Sequence, residues 1–96
     1  MKALKLILFK RYFDAILRGE KIEEYRSQTN FWRKRLIGRN YSEIHFTNGY
    51  GWHRPFMRVE CLGISEGEFE GRKVFVIKLG KILETKNIKQ AELEIA

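Results

Sequence analysis

From Ala3 to Phe9 apolar side chains occupy both alternating sets. Leu4, Leu6 and Leu8 share one face and Ile7 and Phe9 the other, which predicts a strand apolar enough on both sides to be central. The period then changes. Phe13, Ile16 and Leu17 fall at helical spacing over roughly 11–18, with Tyr12 beside them, and Gly19 is placed to end that helix, because glycine takes the left-handed conformation without a Cβ clash. A second strand is expected over 22–26. The polar loop 27–30 offers N-caps to a second short helix over 31–38, in which Trp32 and Leu36 lie four apart on one face and Gly38 serves as the next C-cap.

The remainder reads as strands and turns. A third strand within 41–47 points Ile44 and Phe46 inward and His45 and Thr47 outward or toward a cavity, and Asn48-Gly49 forces a turn. Over 57–64, Met57, Val59 and Cys61 alternate with Arg58, Glu60 and Leu62. The stretch 65–72 is acidic and punctuated by glycine, so it reads as a connection. A long β-rich run over 74–83 follows, with a break or bend expected at Gly80. The tail from Glu84 is polar, and Ile88 with the segment 91–95 forms a weak helix or a frayed end.

Two stretches carry candidate chemistry. In a strand, Glu24 and Arg26 project on the same face, so the carboxylate and guanidinium can pair at close range, and Lys21, still in the turn, can swing toward them. The plainer alternative is a half-exposed strand after a helix cap. The loop from Asn48 to Phe56 holds Tyr50, Trp52, His53 and Arg54 with Gly49 and Gly51, which together offer stacking faces, a cation and backbone freedom to approach a ligand. The competing arrangement folds it back with Trp52 and Phe56 as core plugs. Phe56 is assigned to the core, while Tyr50, Trp52 and His53 stay open between the two. His45 and His53 lack a third partner for a metal.

Composition sharpens the picture. The chain of 96 residues suits one domain, and seven Phe, four Tyr and two Trp supply burial for its core. There is a single cysteine, Cys61, which excludes an internal disulfide and reads as a buried small hydrophobe in a reducing cytoplasm. No apolar run is long enough for a membrane span, and the first nine residues, lacking a small-residue cleavage site, read as a strand rather than a leader. The net charge of +7 is one-sided: residues 1–40 carry eleven Lys/Arg against four Asp/Glu, and residues 41–96 carry eight of each. Its densest part is Arg33, Lys34 and Arg35 on the second helix with Arg39 beyond, either a solvated helix face or a phosphate-binding patch.

Gly19, Lys21, Glu24 and Arg26 match the G-x-K-x-x-E-x-R signature of the ASCH domain, a family related to the RNA-binding PUA domains. The segment 12–18 resembles that family's first helix, and 46–50 with 59–64 resemble its later strands, so the likeness covers nearly the whole chain. The resemblance implies an α+β fold, a small PUA-like β-barrel with two short helices near the N-terminus, as one domain over 1–96. It implies an RNA or nucleotide-like ligand, no cofactor or metal, and a monomer or homodimer. In that reading Lys21, Glu24 and Arg26 line a pocket, Arg33, Lys34, Arg35 and Arg39 meet phosphates, and Tyr50, Trp52, His53 and Arg54 complete the nucleic-acid surface.

The alternative is a metal-independent hydrolase, in which a lysine crowded by Arg26 serves as base or nucleophile and a carboxylate moves protons. One branch of the family resembled removes the acetyl group from acetylated cytidine. Its Lys and later-strand Glu correspond to Lys21 and Glu60, but its Thr is replaced here by Glu24. Other relatives look like ribonucleases, for which Lys21, Glu24, Tyr25 and His53 are the candidate acids and bases. A protein-binding adaptor is the third class, and the basic half of the chain argues against it.

Overall fold

The computed structural model describes residues 2–88, so the weak helix or frayed end expected at 91–95 lies outside the described residues. The elements run β1 (Ala3–Leu8), α1 (Lys10–Leu17), β2 (Glu23–Ser27), α2 (Asn30–Leu36), β3 (Glu43–Asn48), β4 (Phe56–Phe69) and β5 (Arg72–Lys86). The five strands form one mixed sheet in the order β1-β3-β4-β5-β2, with β1 parallel to β3 and the other pairs antiparallel. The fold is α+β, with both helices in the first half of the chain.

Period-two alternation builds the core. Leu4, Leu6 and Leu8 of β1, Ile44 and Phe46 of β3, Met57 and Val59 of β4 and Phe75, Ile77 and Leu79 of β5 are buried together. Phe13 and Ile16 of α1 and Leu36 of α2 join the same cluster, as their helical spacing predicts. Thr29 caps α2 by accepting from the Trp32 N–H at 3.3 Å. Cys61 lies against the core, where burial pushes its thiol up.

Several expectations are corrected. β1 is an edge strand and not a central one, because it has β3 on one side only. Its second apolar set is also partly uncovered, with Ile7 41% and Phe9 at its end 78% exposed. The acidic stretch expected as a connection is strand: β4 runs on through Glu66 and Glu68 into a tight turn at Glu70 and Gly71, both with positive φ (51° and 77°). Two consecutive left-handed residues suit the twist of a hairpin, and charges on an exposed face are no obstacle to it. Phe56 is not a core plug. It lies half-buried, edge-on to His45 with ring centres 5.5 Å apart and with the Lys86 ammonium 5.6 Å from its ring centre, because Met57 takes the inward position. The bend expected near Gly80 is present as a register slip between the Val59–Ile82 and Cys61–Leu79 pairs.

Across the outer side of β3, β4 and β5, the Glu43 carboxylate accepts from Arg58 Nη1 at 2.6 Å and pairs with His45 Nε2 at 3.0 Å, and Arg58 Nε donates to Glu84 at 2.8 Å. The Arg58 guanidinium holds both carboxyls below their ordinary values, with His45 assisting at Glu43. A depressed carboxyl stabilises the fold fully above the unfolded value of about 4.3 and ceases to do so as pH falls through its lower folded value. Thermal melts between pH 7 and pH 2 should therefore show a loss of stability below about pH 4. That acid-side loss should shrink in Arg58→Met; an unchanged profile would show that these pairs do not govern it.

Candidate functional site

The two edges of the sheet, β1 and β2, do not pair with one another among the described residues. They stand instead on either side of a cleft of about 510 Å³, lined by Ile7, Leu8 and Phe9 from one edge and Glu24 to Ser27 from the other. Arg26 spans it, with Nη2 at 3.5 Å from the Ile7 carbonyl oxygen.

Local sequence explains how the polar groups reach this place. Gly19, with φ of 77°, turns the chain off α1, and the N–H groups of Glu20 and Lys21 both donate to the Ala15 carbonyl, at 2.9 and 3.1 Å. Lys21 is thereby fixed at the mouth of the cleft. β2 starts two residues later, and its alternation turns Glu24 and Arg26 to the same side. Arg26 Nη2 donates to Glu24 Oε2 at 2.7 Å, while Lys21 Nζ lies 3.6 Å from Glu24 Oε1. Glu24 is only 6% exposed, so its carboxylate is a buried charge held between two cations. The distance from Lys21 marks an electrostatic pairing rather than a hydrogen bond, which leaves ammonium donors to face the cleft. The group carries one net positive charge. Arg26 Nε is buried without a hydrogen-bond partner in the structure.

Aromatic rings close the site, and most of them were not legible as site residues. The Lys21 ammonium lies 4.8 Å from the centre of the Tyr25 ring and 5.7 Å from that of Tyr12, and the Arg26 guanidinium lies 5.0 Å from that of Trp32. Tyr12 and Trp32 carry the right spacing for helix faces against the core, and the only further signal was that each sits beside the signature stretch. Tyr25, a candidate proton donor, gives its hydroxyl hydrogen to Glu23 at 2.8 Å, which pushes its phenol up, and it stacks on Phe69 at 4.6 Å. It is an ordered wall of the cleft and a poor acid.

Other expected site residues lie elsewhere. Glu60 is not among the cleft-lining residues. It shares the outer face of β4 with Arg58, and its carboxylate accepts from the Lys81 N–H at 3.3 Å where the sheet register slips. Gly80 lies against that carboxylate, and a Cβ there would crowd the end of the Glu60 side chain. Arg33, Lys34, Arg35 and Arg39 are exposed and outside the cleft lining. The first three occupy the last turn of α2, where positive charge complements the helix dipole, and Arg35 also donates to the Phe31 carbonyl at 2.8 Å and covers that ring. In the 49–55 loop Trp52 is 92% and Tyr50 83% exposed, so neither plugs the core, and His53 is exposed as well. Arg54 turns inward, with Nε and Nη2 donating to the Asn48 backbone and side-chain oxygens at 2.7 and 3.0 Å. It holds the loop rather than facing a ligand.

No family model matches the chain, no curated protein matches it, and no solved structure matches it. Among the described residues no three or more His, Cys, Asp or Glu side chains are grouped to hold a metal ion, and no helix is long and apolar enough to cross a membrane.

The buried pair predicts an asymmetric response to mutation. Glu24→Ala should lower unfolding free energy by about 2 kcal/mol, since it leaves Arg26 largely covered without its charged acceptor. Lys21→Ala should cost under about 1 kcal/mol because its ammonium approaches Glu24 only to 3.6 Å, without the short hydrogen bond that Arg26 makes. Urea titrations of the two variants check this, and equal losses would show that Lys21 is part of the structural pair.

Proposed function

We propose that the chain is an ASCH-type domain that binds RNA or a nucleotide-derived ligand in the cleft formed by Lys21, Glu24 and Arg26. The observation that carries this reading is the convergence of two cations and a buried carboxylate with the Tyr12, Tyr25 and Trp32 rings in one open cleft. The net positive charge suits a phosphate, the carboxylate can accept from a base amino group, and the rings give an unpaired base apolar surface. In the same reading the sheet is a PUA-like barrel left open at the seam between β1 and β2. The Arg26 contact across that seam supports it. A single cysteine without a disulfide is in keeping with action in the cytoplasm.

Anisotropy of labelled single-stranded RNA tests the proposal. Lys21→Ala and Arg26→Ala should each weaken binding tenfold or more, and affinity should fall linearly on a logarithmic scale with added salt. Binding that survives both substitutions would place the ligand elsewhere and overturn the reading.

A second reading, a metal-independent hydrolase, is favoured by the 3.6 Å approach of Lys21 Nζ to Glu24 Oε1 at the cleft, which places a proton-donating ammonium beside a carboxylate base. The position of Glu60 outside the cleft lining argues against the acetyl-cytidine reaction in particular. Mass spectrometry of an RNA containing one acetylated cytidine, incubated in chelator beside the Lys21→Ala protein, decides it. Deacetylation or strand cleavage absent from the variant would make the protein an enzyme, and intact RNA would remove both reactions.

A further inference from the structure

A second cavity of about 610 Å³ adjoins the cleft along the open edge of β1, and the two share Ile7, Leu8, Phe9, Arg26 and Trp32 as common wall. Beyond this wall the second cavity is lined by Lys5, Asn48 and Tyr50 among others, and its surface is mainly apolar. Phe9 stands on the ridge between the two cavities, and neither it nor Tyr50 is covered by the fold. Lys5 is exposed and has no ion-pair partner among the described residues.

Resting on the nucleotide-binding reading of the cleft, we infer that the ligand is a single-stranded RNA segment of at least two nucleotides, with the second nucleotide held in this adjoining cavity. Three features of the structure favour that occupant. The cavities adjoin along five shared lining residues, so a chain leaving the first has only that shared wall to pass before it enters the second. Arg26 belongs to both, and a guanidinium at the junction is placed to meet the phosphodiester that links two nucleosides, while Lys5 supplies the next positive charge along the track. The apolar walls from Phe9 and Tyr50 give the second base a ring to stack on, which a paired base could not reach.

The platform is held in place before any ligand arrives. Asn48 Nδ2 donates to the Leu8 carbonyl at 3.1 Å, Arg54 clamps Asn48, and Asn87 Nδ2 donates to the Trp52 and Arg54 carbonyls at 3.3 and 3.2 Å. The foot of the loop bearing Tyr50 is thus tied to β1 and to the residue after β5, so less ordering is needed on binding. Lys5 and Tyr50 line the second cavity and not the first, which makes the inference separable from the reading beneath it.

Calorimetric titration of the four ribonucleoside 5′-monophosphates and the matching 5′-phosphorylated homodinucleotides tests it. For the preferred base, the dinucleotide should bind at least tenfold tighter than the monophosphate. A Lys5→Gln/Tyr50→Ala protein, checked for an unchanged melting temperature, should lose most of that gain while binding the monophosphate within twofold of the parent. Equal affinity for the two probes would overturn the second subsite and leave the cleft reading standing. If neither probe binds, the cleft reading fails and the subsite with it. A parent protein that self-associates in sedimentation, with the double variant monomeric, would show that a second copy of the chain covers this edge and would also overturn the inference.

Discussion

A carboxylate buried to the extent of Glu24 has to be paired, and the manner of its pairing organises this protein. Arg26 supplies the short contact and Lys21 the longer one, and both come from the same eight-residue stretch that leaves α1. The pairing keeps β2 facing the seam with its polar side. That side carries Glu24 and Arg26, joined by Lys21 from the preceding turn. The seam is an open cleft, bridged by the Arg26 side chain in place of a strand ladder.

Open sheet edges are ordinarily a liability, since their unpaired N–H and C=O groups invite other strands. Here β2 is short and charged, and the neighbouring α1 and α2 contribute Tyr12 and Trp32 to the cleft between the edges. β1 is less protected: its outer apolar set, Ile7 and Phe9, is exposed beside Lys5. The proposed RNA segment would cover this combination of an apolar strip, a cationic junction and exposed rings.

Electrostatics divides into structural and available parts. Arg58 is committed to Glu43 and Glu84, Arg54 to Asn48, Arg35 to Phe31, and the α2 cations complement a helix terminus. Within the first two-fifths of the chain Lys10 pairs with Asp14, Arg18 with Glu20, and the α2 cations lie outside the cleft lining, so the excess of positive charge is not gathered at the cleft. What remains directed at the cleft is a small set, Lys21 and Arg26, whose weight comes from placement in a partly covered site where charge is less screened.

Much of the fold was determined by the sequence itself, because it rests on local periodicity. The alternations over 3–8, 43–48 and 57–61, the helical spacing of Phe13 and Ile16, the Thr29 cap and the Gly19 stop are all short-range patterns, and each element formed where its pattern lies. The Lys21-Glu24-Arg26 group was legible for the same reason: a turn and a two-residue alternation suffice to bring it together. Neighbour relations were not legible. Only the tertiary structure decided that β1 is an edge and that the acidic run after Ser65 continues a strand. The placement of Glu60 at a register slip facing Gly80 and the arrival of Trp32 over Arg26 likewise waited on it. These outcomes depend on which segments distant in sequence pair side by side, and alternation within one strand carries no information about its partner.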